Sequence, residues 1–364
     1  MDKQDPALAR LIEQVDYAYA HCKPLDIRGG GTKSFYGAAP SGEPLDVTGL
    51  AGISCYEPTE LVVTLRAGTP LADLDAALAE RGQCLPFEPP RFSAGATVGG
   101  MVAAGLSGPS RANVGSVRDH VLGVTLLNGR GEVLTFGGQV AKNVAGYDVS
   151  RLLAGSWGIL GIICEVSLKV LPVSRSSATL RFDCDEGQAL DRLRRWASQP
   201  LPISGSSWQE GRLHVRLAGA SAAVNAACAR LGGTALNPAA AEAWWLSLRD
   251  QSEDFFALDS SALSHGECLW RLSLPPTAPA VSLPGRQLIE WHGAQRWWRT
   301  MADSRAVRVA AAAAGGHATL VRAADKSVGA FAPISEVLMR IHRELKQAFD
   351  PRQIFNRGRL YAEL

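Results

Sequence analysis

Hydrophobic residues recur at helical spacing in five segments, and we predict a helix in each, at residues 7–21, 71–81, 186–198, 221–231 and 335–349. Runs rich in branched and aromatic residues lie between them and predict strands, at residues 24–28, 61–65, 120–128, 132–136, 158–171, 178–183, 203–208, 212–217, 269–274 and 287–292. The turn at residues 128–131 predicts a hairpin, and Thr69 before Pro70 is typical of a helix start. Beyond residue 173, the order strand, helix, strand, strand, helix indicates the front of a ferredoxin-like unit, so we predict an α+β protein.

The composition excludes several classes of protein. The 364 residues are 46% hydrophobic and 20% charged, with a net charge of +2, which is typical of a globular chain with a large core. This excludes a mainly disordered chain, and the near-neutral charge argues against a nucleic-acid binder. The acidic, polar start is unlike a secretory signal, and glycines break the long uncharged run at residues 92–110, so we expect no membrane span.

The cysteines and histidines do not form any of the usual metal-binding patterns. Seven dispersed cysteines without a C-x-x-C pair favour reduced thiols in a cytosolic enzyme. They also exclude an iron–sulfur cluster built on the usual local spacing. The seven histidines are equally dispersed, so we predict no metal site.

Three glycine-rich loops carry the candidate chemistry, because the Rossmann, Walker A and nucleophile-elbow motifs are all missing from the sequence. In the first loop, Gly29, Gly30, Gly31 and Thr32 follow a strand. Consecutive glycines let backbone amides converge on an anion, and a phosphate or pyrophosphate is the natural ligand. The alternative is a flexible loop without a ligand.

The second and third loops leave two interpretations open. Thr97, Gly99 and Gly100 belong to a segment that runs into small residues, where a helix N-terminus would add its positive dipole end. Close helix packing is the alternative there. The third loop runs from Gly146, Tyr147 and Asp148 to Gly161, Ile162 and Ile163, where exposed backbone could pair with a flat heteroaromatic ring. A buried strand with a glycine bulge is the alternative.

Together, the segments RGGGTKS, ATVGGMVAAGLSG, GSVRDHVLG and GYDVSRLLAGSWGILGIICEVSLKVLP resemble the FAD-binding domain of the vanillyl-alcohol oxidase / p-cresol methylhydroxylase (PCMH) superfamily. Within it, the chain is most similar to the smaller FAD-binding subunits of bacterial glycolate oxidases, including PLPISG near residue 201, AGGHAT near 314 and the ending RLYAEL. The resemblance implies a two-lobed PCMH-type FAD-binding domain at 1–173 and a ferredoxin-like substrate or cap domain at 174–330. A C-terminal segment at 331–364 would pack back on the first domain.

The resemblance also implies roles for individual residues. The first loop and the second would hold the FAD pyrophosphate through backbone amides, and Ser116 and Asp119 would lie along the cofactor. Gly161, Ile162 and Ile163 would contact its ring edges with backbone atoms. Asn356 would return toward the isoalloxazine from a segment similar to the family's Asn-Pro-Gly, although Arg357 replaces the proline. Thr32 stands where some relatives carry a histidine that binds FAD covalently, so we predict non-covalent FAD.

The implied activity is the oxidation of a small 2-hydroxy acid, glycolate, within a multi-subunit complex. Catalytic relatives carry an H-x-G-D-G-N-x-H segment, whereas this chain has only His317 in that region. His317 is therefore either a remnant of the catalytic base or a structural histidine. The expected partners are a larger FAD-binding catalytic subunit and an iron–sulfur subunit. A stand-alone 2-hydroxy acid dehydrogenase and a non-catalytic assembly subunit are the alternatives. We expect a cytoplasmic location, with peripheral contact to the inner membrane through the complex left open.

Overall fold

Short strands and helices alternate through the first 172 residues. In a computed structural model, which describes residues 5–138 and 147–364, these elements are α1 Pro6–His21, β1 Leu25–Arg28, β2 Glu43–Asp46, β3 Ile53–Glu57, β4 Val62–Arg66, α2 Leu71–Ala79, β5 Gln83–Cys84, α3 Val98–Ala104, α4 Arg111–Val114, α5 Val117–His120, β6 Val121–Leu127, β7 Val133–Gly137, α6 Val149–Leu152, β8 Ile162–Lys169 and β9 Leu171–Pro172.

Longer strands dominate the rest of the chain. The elements there are β10 Ser176–Asp183, α7 Glu186–Ala197, β11 Ile203–Gln209, β12 Arg212–Gly219, α8 Ser221–Leu231, β13 Thr234–Ala235, α9 Pro238–Asp250, α10 Ser260–Ser264, β14 Cys268–Ser273, β15 Arg286–Glu290, β16 Gln295–Thr300, α11 Ser304–Ala313, β17 His317–Arg322 and α12 Glu336–Phe349, with short 3-10 turns at Asp254–Phe256 and Trp291–Gly293. Within the described ranges, no helix is long and apolar enough to cross a bilayer.

The chain forms two units. The first contains residues 1–106, 116–172 and 333–364, and the second contains residues 107–115 and 173–332. The C-terminal segment therefore belongs to the same unit as the glycine-rich loops.

Helix α1 shows how the sequence fixes an element of the first unit. The Asp5 side chain accepts hydrogen bonds from the amides of Ala7 and Leu8, Pro6 occupies the first turn, and Cys22 ends the helix in the left-handed conformation. Its apolar face is buried among residues of β1, β2 and the C-terminal segment, including Ile354 and Phe355. Strand β1 therefore packs with both helix α1 and the C-terminal segment.

The sheet of the first unit supports a second core. Its five strands have the order β3-β4-β8-β6-β7 and pair antiparallel throughout. Buried residues of α2 and α3 pack with this sheet. Strands β1 and β2 form a separate parallel pair, and β1 leads directly into the first glycine-rich loop.

The second unit is built on one eight-stranded sheet with the order β13-β10-β12-β11-β15-β16-β14-β17. Strands β10 to β13 with α7 and α8 have the ferredoxin-like connectivity and strand order. Strands β14, β15, β16 and β17 repeat the same spatial order, without a helix after β14. The two halves meet where β11 pairs antiparallel with β15, so the predicted ferredoxin-like unit is followed by a second, related half.

Three details of the predicted elements were wrong. Helix α2 has Pro70, not Thr69, at its N-cap, and the Thr69 hydroxyl instead donates to the carbonyls of Arg66 and Gly52. The predicted strand at 158–171 is regular only from Ile162 to Lys169, because Gly158 and Gly161 have φ of 74° and 152° and form a turn. The elements that were not predicted from the sequence are strands β2, β3, β5, β13, β16 and β17 and helices α4, α5, α6, α9, α10 and α11.

Candidate functional site

A cavity in the first unit brings together the first and second glycine-rich loops, the turn before β8 and the C-terminal segment. The space inside it is about 820 Å³, which includes the part open to solvent. Of the predicted site residues, the cavity is lined by Gly29, Gly30, Gly31, Thr32, Thr97, Gly99, Gly100, Gly161, Ile163 and Asn356.

The first loop presents bare backbone amides to this cavity. No group in the described part of the chain accepts a hydrogen bond from the four amides of residues 29–32. Gly31 has a φ of 66°, and its carbonyl accepts hydrogen bonds from both the amide and the hydroxyl of Ser34, which closes the turn. The loop is therefore shaped by its own contacts while its amides remain available to an anion.

The second loop packs directly against the first. A Cβ added to Gly30 would lie 1.5 Å from the carbonyl oxygen of Gly95, and one added to Gly29 would lie 2.3 Å from Oγ1 of Thr97. The two loops thus pack backbone against backbone. A side chain at either glycine would force them apart.

In the second loop, protein groups accept hydrogen bonds from the amides of Gly99 and Gly100, which were expected to face the cofactor. Thr97 caps α3 through its hydroxyl, which accepts from the amide of Gly100 at 3.3 Å. The Gly99 amide donates to the carbonyl of Ala67 at 2.6 Å. Protein acceptors therefore already bind the amides of Gly99 and Gly100. Thr97 and both glycines line the cavity, and their contribution to the pyrophosphate cradle stays a prediction.

Asn356 connects two walls of the cavity. Its Oδ1 accepts from the amide of Ile27 at 2.7 Å, and its Nδ2 donates to the carbonyl of Trp157 at 2.6 Å. A Cβ on Gly158 would lie 2.6 Å from that same Nδ2. Both ends of the Asn356 amide group are therefore bound by the protein, and its side chain fixes the strand before the first loop to the turn before β8.

Three cationic residues line the cavity, and sequence reasoning missed all of them. Arg28 pairs with the buried carboxylate of Asp26, with Nε 2.5 Å from Oδ2. Lys33 donates to the hydroxyl of Thr32 at 3.2 Å. Arg359 donates to the carbonyls of residues 33, 34 and 38, and burial lowers its pKa, opposed by the charge of Asp26. No local motif marks Arg359, because its partners lie more than 300 residues away.

Trp157 adds a flat aromatic wall that was also missed. Its ring stacks on that of Tyr36, with centroids 5.0 Å apart and planes inclined by 14°. The guanidinium of Arg359 lies 5.5 Å from the centroid of the same ring. Trp157 has a φ of 52°, which is unusual for a bulky residue and marks the turn as tightly constrained.

Several predicted residues are not among those that line this cavity. Ser116 and Asp119 form a capping box at the start of α5, and the Ser116 amide holds the pKa of Asp119 below its usual range. The Ile162 side chain is buried in the core beneath α1. His317 begins β17 of the second unit, where burial and then the charge of Arg271 lower its pKa.

The third loop is only partly described. Gly146 lies outside the described residues. Tyr147 is 96% exposed, and the Asp148 side chain caps α6 by accepting from the amide of Arg151. Contacts of these residues with a ring system stay a prediction.

The residues of the cavity fit a dinucleotide cofactor. A row of unbonded amides beside three cations suits a pyrophosphate, because amides and cations both stabilise its negative charge. Gly99 and Gly161 also line the cavity, and a Cβ at either glycine would lie within 2.7 Å of Ala67 or Leu127, so close packing against the protein requires glycine there.

Comparison with known proteins agrees with this geometry. The family described as "FAD binding domain" matches residues 8–137. The chain is 48% identical over 354 residues to glycolate oxidase subunit GlcE of Escherichia coli (strain K12), covering 97% of each chain. It is 32% identical over 162 residues to glycolate oxidase subunit GlcD of Bacillus subtilis (strain 168), covering 44% of this chain and 34% of that protein.

Among solved structures, alkyldihydroxyacetonephosphate synthase has a similar fold, with a TM-score of 0.63 and 14% identity over 96% of this chain and 74% of that one. The fold and the family match define an α+β, FAD-binding oxidoreductase of the PCMH type. Within that class, the chain belongs to the family of the glycolate oxidase subunit GlcE.

Proposed function

We propose that this chain is the FAD-binding subunit of a complex that oxidises glycolate to glyoxylate. The single observation that carries the proposal is the cavity in which four unbonded amides of residues 29–32 stand beside Arg28, Lys33 and Arg359. Membership of the GlcE family supports the choice of glycolate as the substrate of the complex. FAD, when bound, supplies the electron-accepting chemistry that no side chain can perform.

The chain's own residues would bind and orient the cofactor. Gly29, Gly30, Gly31 and Thr32 would donate their amides to the pyrophosphate. Gly161 and Ile163 would face a ring system, and Asn356 would act indirectly by fixing two walls of the cavity. Six further residues stay predicted contacts with the cofactor: Thr97, Gly99, Gly100, Ser116, Asp119 and the backbone of Ile162.

We further propose a division of labour between the two units. The first unit would be the FAD-binding domain predicted at 1–173, without residues 107–115, and it would include the C-terminal segment that was predicted at 331–364 to pack back on this domain. The second would be the substrate or cap domain predicted at 174–330.

Substrate oxidation itself is assigned to a larger FAD-binding subunit, with an iron–sulfur subunit as the next electron acceptor. The support is that His317 is the only histidine of the AGGHAT segment, where catalytic relatives carry two. The flavin of this chain would then relay electrons.

The seven cysteines all lie in described residues and none forms a disulfide, which supports a cytoplasmic location.

An absorbance experiment tests the proposal. The purified chain is mixed with FAD and freed of excess cofactor, and its visible flavin bands are recorded before and after anaerobic addition of glycolate. We expect retained bands that persist with the isolated chain and bleach when the partner subunits are present.

Each other outcome identifies a different function. Bleaching by glycolate with the isolated chain would make it a stand-alone 2-hydroxy acid dehydrogenase. A preparation that binds the partner subunits but retains no flavin would make it an assembly subunit. Either result would overturn the proposal.

A further inference from the structure

A buried ion pair lies at the end of α12, in the same unit as the cavity. Nζ of Lys346 is 2.8 Å from Oδ2 of Asp350, and the two side chains are 1% and 0% exposed. Removing two charges from water costs free energy, and an apolar pair of similar volume is often at least as stable. The charges therefore need an explanation beyond holding the helix in place.

The hydrogen bonds of Lys346 supply an explanation for the two buried charges. Its ammonium donates to the carbonyls of Ile159 and Phe355, both at 2.7 Å, as well as to Asp350. These three bonds use every N–H of the ammonium. In the described parts of the chain, no other donor reaches either carbonyl. A methionine of similar length would fill the space and leave both carbonyls unbonded.

Asp350 holds the same segment from the other side. Its Oδ1 accepts from the amide of Ile354 at 3.0 Å, and its Oδ2 accepts from that of Phe355 at 2.8 Å. The ion pair thus binds residues 354–355 through both their amides and a carbonyl. It binds Ile159 through the lysine alone.

Both bound segments lead directly into the walls of the cavity. Gly158, next to Ile159, and Asn356, next to Phe355, line it. The Asn356 side chain then bridges the Trp157 carbonyl and the amide of Ile27, two residues before Gly29. A continuous set of hydrogen bonds therefore runs from the ion pair to the start of the first glycine-rich loop.

We propose that Lys346 and Asp350 are positioning residues for the FAD site, which set the spacing between the turn at residues 157–159 and the segment at residues 354–356. This rests on the proposed binding of FAD in the cavity. Neither residue lines the cavity, so their effect on the cofactor would pass entirely through backbone groups and Asn356.

The test compares FAD affinity with the stability of the cofactor-free protein in full-length variants. Lys346→Met removes the donors at nearly constant volume. Leu78→Ala is the matched control, because Leu78 is fully buried on α2, away from the cavity, and its loss destabilises the same unit. We expect Lys346→Met to raise the Kd for FAD by about tenfold or more, and Leu78→Ala by less than about threefold at equal loss of Tm.

The double variant Lys346→Met/Asp350→Asn separates the effect of the ion pair on stability from its effect on FAD binding. It removes the unpaired carboxylate, so the Tm should recover part of the loss seen in Lys346→Met, while the Kd for FAD stays high. If the Kd values of all these variants instead follow their Tm values on one line, the pair is merely structural and the proposal is overturned.

Two further features keep the test decisive. If Lys346→Met does not fold, the isosteric Asp350→Asn takes its place in the same comparison. Binding of FAD by the wild-type chain is measured first and tests the proposed function by itself. The ratio of variant to wild-type Kd tests the positioning role.

Discussion

Gly30 and Gly95 stand backbone to backbone, so close that a Cβ on Gly30 would lie 1.5 Å from the Gly95 carbonyl oxygen. Gly30 has no positive φ, so the backbone conformation alone does not require glycine there. The requirement comes from the neighbouring loop. The glycines of the first loop therefore have two roles. Their amides are unbonded and available to an anion, and their lack of side chains allows the second loop to pack closely against them.

Gly30→Ala should therefore weaken FAD binding without preventing folding. Overpacking of this kind costs about 1–3 kcal/mol, and if the cost falls on the loop geometry the Kd for FAD rises roughly 5- to 150-fold. The measurement is a titration of the cofactor-free protein by flavin fluorescence. Gly49→Ala is the control, because a Cβ there would meet only an ordinary contact, 3.7 Å from the Cβ of Ala7. Equal Kd values for the two variants would show that the contact between the loops does not shape the site.

Arg359 should matter for cofactor affinity because it holds the loop that follows the glycines. Its guanidinium donates to the carbonyls of Ala38, Lys33 and Ser34 at 2.5, 3.2 and 3.2 Å. Arg359→Met removes these bonds, each worth about 1.5–3 kcal/mol when one partner is charged, and we expect a Kd for FAD about tenfold higher or more.

The matched control for Arg359 is its exposed neighbour Arg357. Among the residues that the structure describes, the Arg357 side chain donates only to the carbonyls of Gln353 and Arg352 in its own turn. Arg357→Met should bind FAD with a Kd within about twofold of wild type, as is usual for surface substitutions. A loss of affinity as large as that of Arg359→Met would mean that the net positive charge of the segment, and not the bonds of Arg359, determines binding.

The sequence predicted the parts of this fold that depend on local pattern. Helix α1, the hairpin of β6 and β7, and the strands and helices at 176–231 follow apolar periodicity and turn residues. Strand β17 was missed because it pairs with β14, more than 40 residues earlier in the chain. Strand β16 pairs with its neighbour β15 as well as with β14, so distance along the chain does not explain why it was missed.

The site was predictable only where backbone chemistry determines it. The glycines of the first loop indicate bare amides whatever surrounds them. The amides of Gly99 and Gly100 could not be judged the same way, because their acceptors come from Ala67 and the Thr97 side chain. Arg359 and Trp157 were missed because their roles arise from contacts between distant segments, which no single segment encodes.

FAD should be released intact by acid precipitation, because no covalent link is expected at Thr32. The flavin colour should then appear in the supernatant and leave the pellet colourless. Thr32→Ala should also keep its affinity within about threefold of wild type, because the backbone amide that we assign to the cofactor remains in place. A yellow pellet after washing would contradict non-covalent binding. A large loss of affinity in Thr32→Ala would assign the contact to the hydroxyl.

We predict that His214 makes the stability of the protein depend on pH. It lies buried on β12 with its ring 4.6 Å from that of Trp244. Burial, followed by the charges of Arg181 and Arg212, lowers its pKa to about 4 from the usual 6.5. Below pH 6.5 the unfolded chain takes up a proton that the folded chain refuses, so unfolding becomes easier as the pH falls toward 4. Between about pH 7 and about pH 5 this histidine alone should cost about 2 kcal/mol of stability.

His214→Phe removes the titration while keeping an aromatic ring against Trp244. The free energy of unfolding by urea, followed by tryptophan fluorescence, should therefore fall less in the variant than in the wild type over that pH range, by about 2 kcal/mol. The control is His265→Phe, at an exposed position on the same unit, which leaves His214 in place and should keep the wild-type pH dependence. If His214→Phe and the wild type lose stability in parallel, groups other than His214 govern the acid sensitivity.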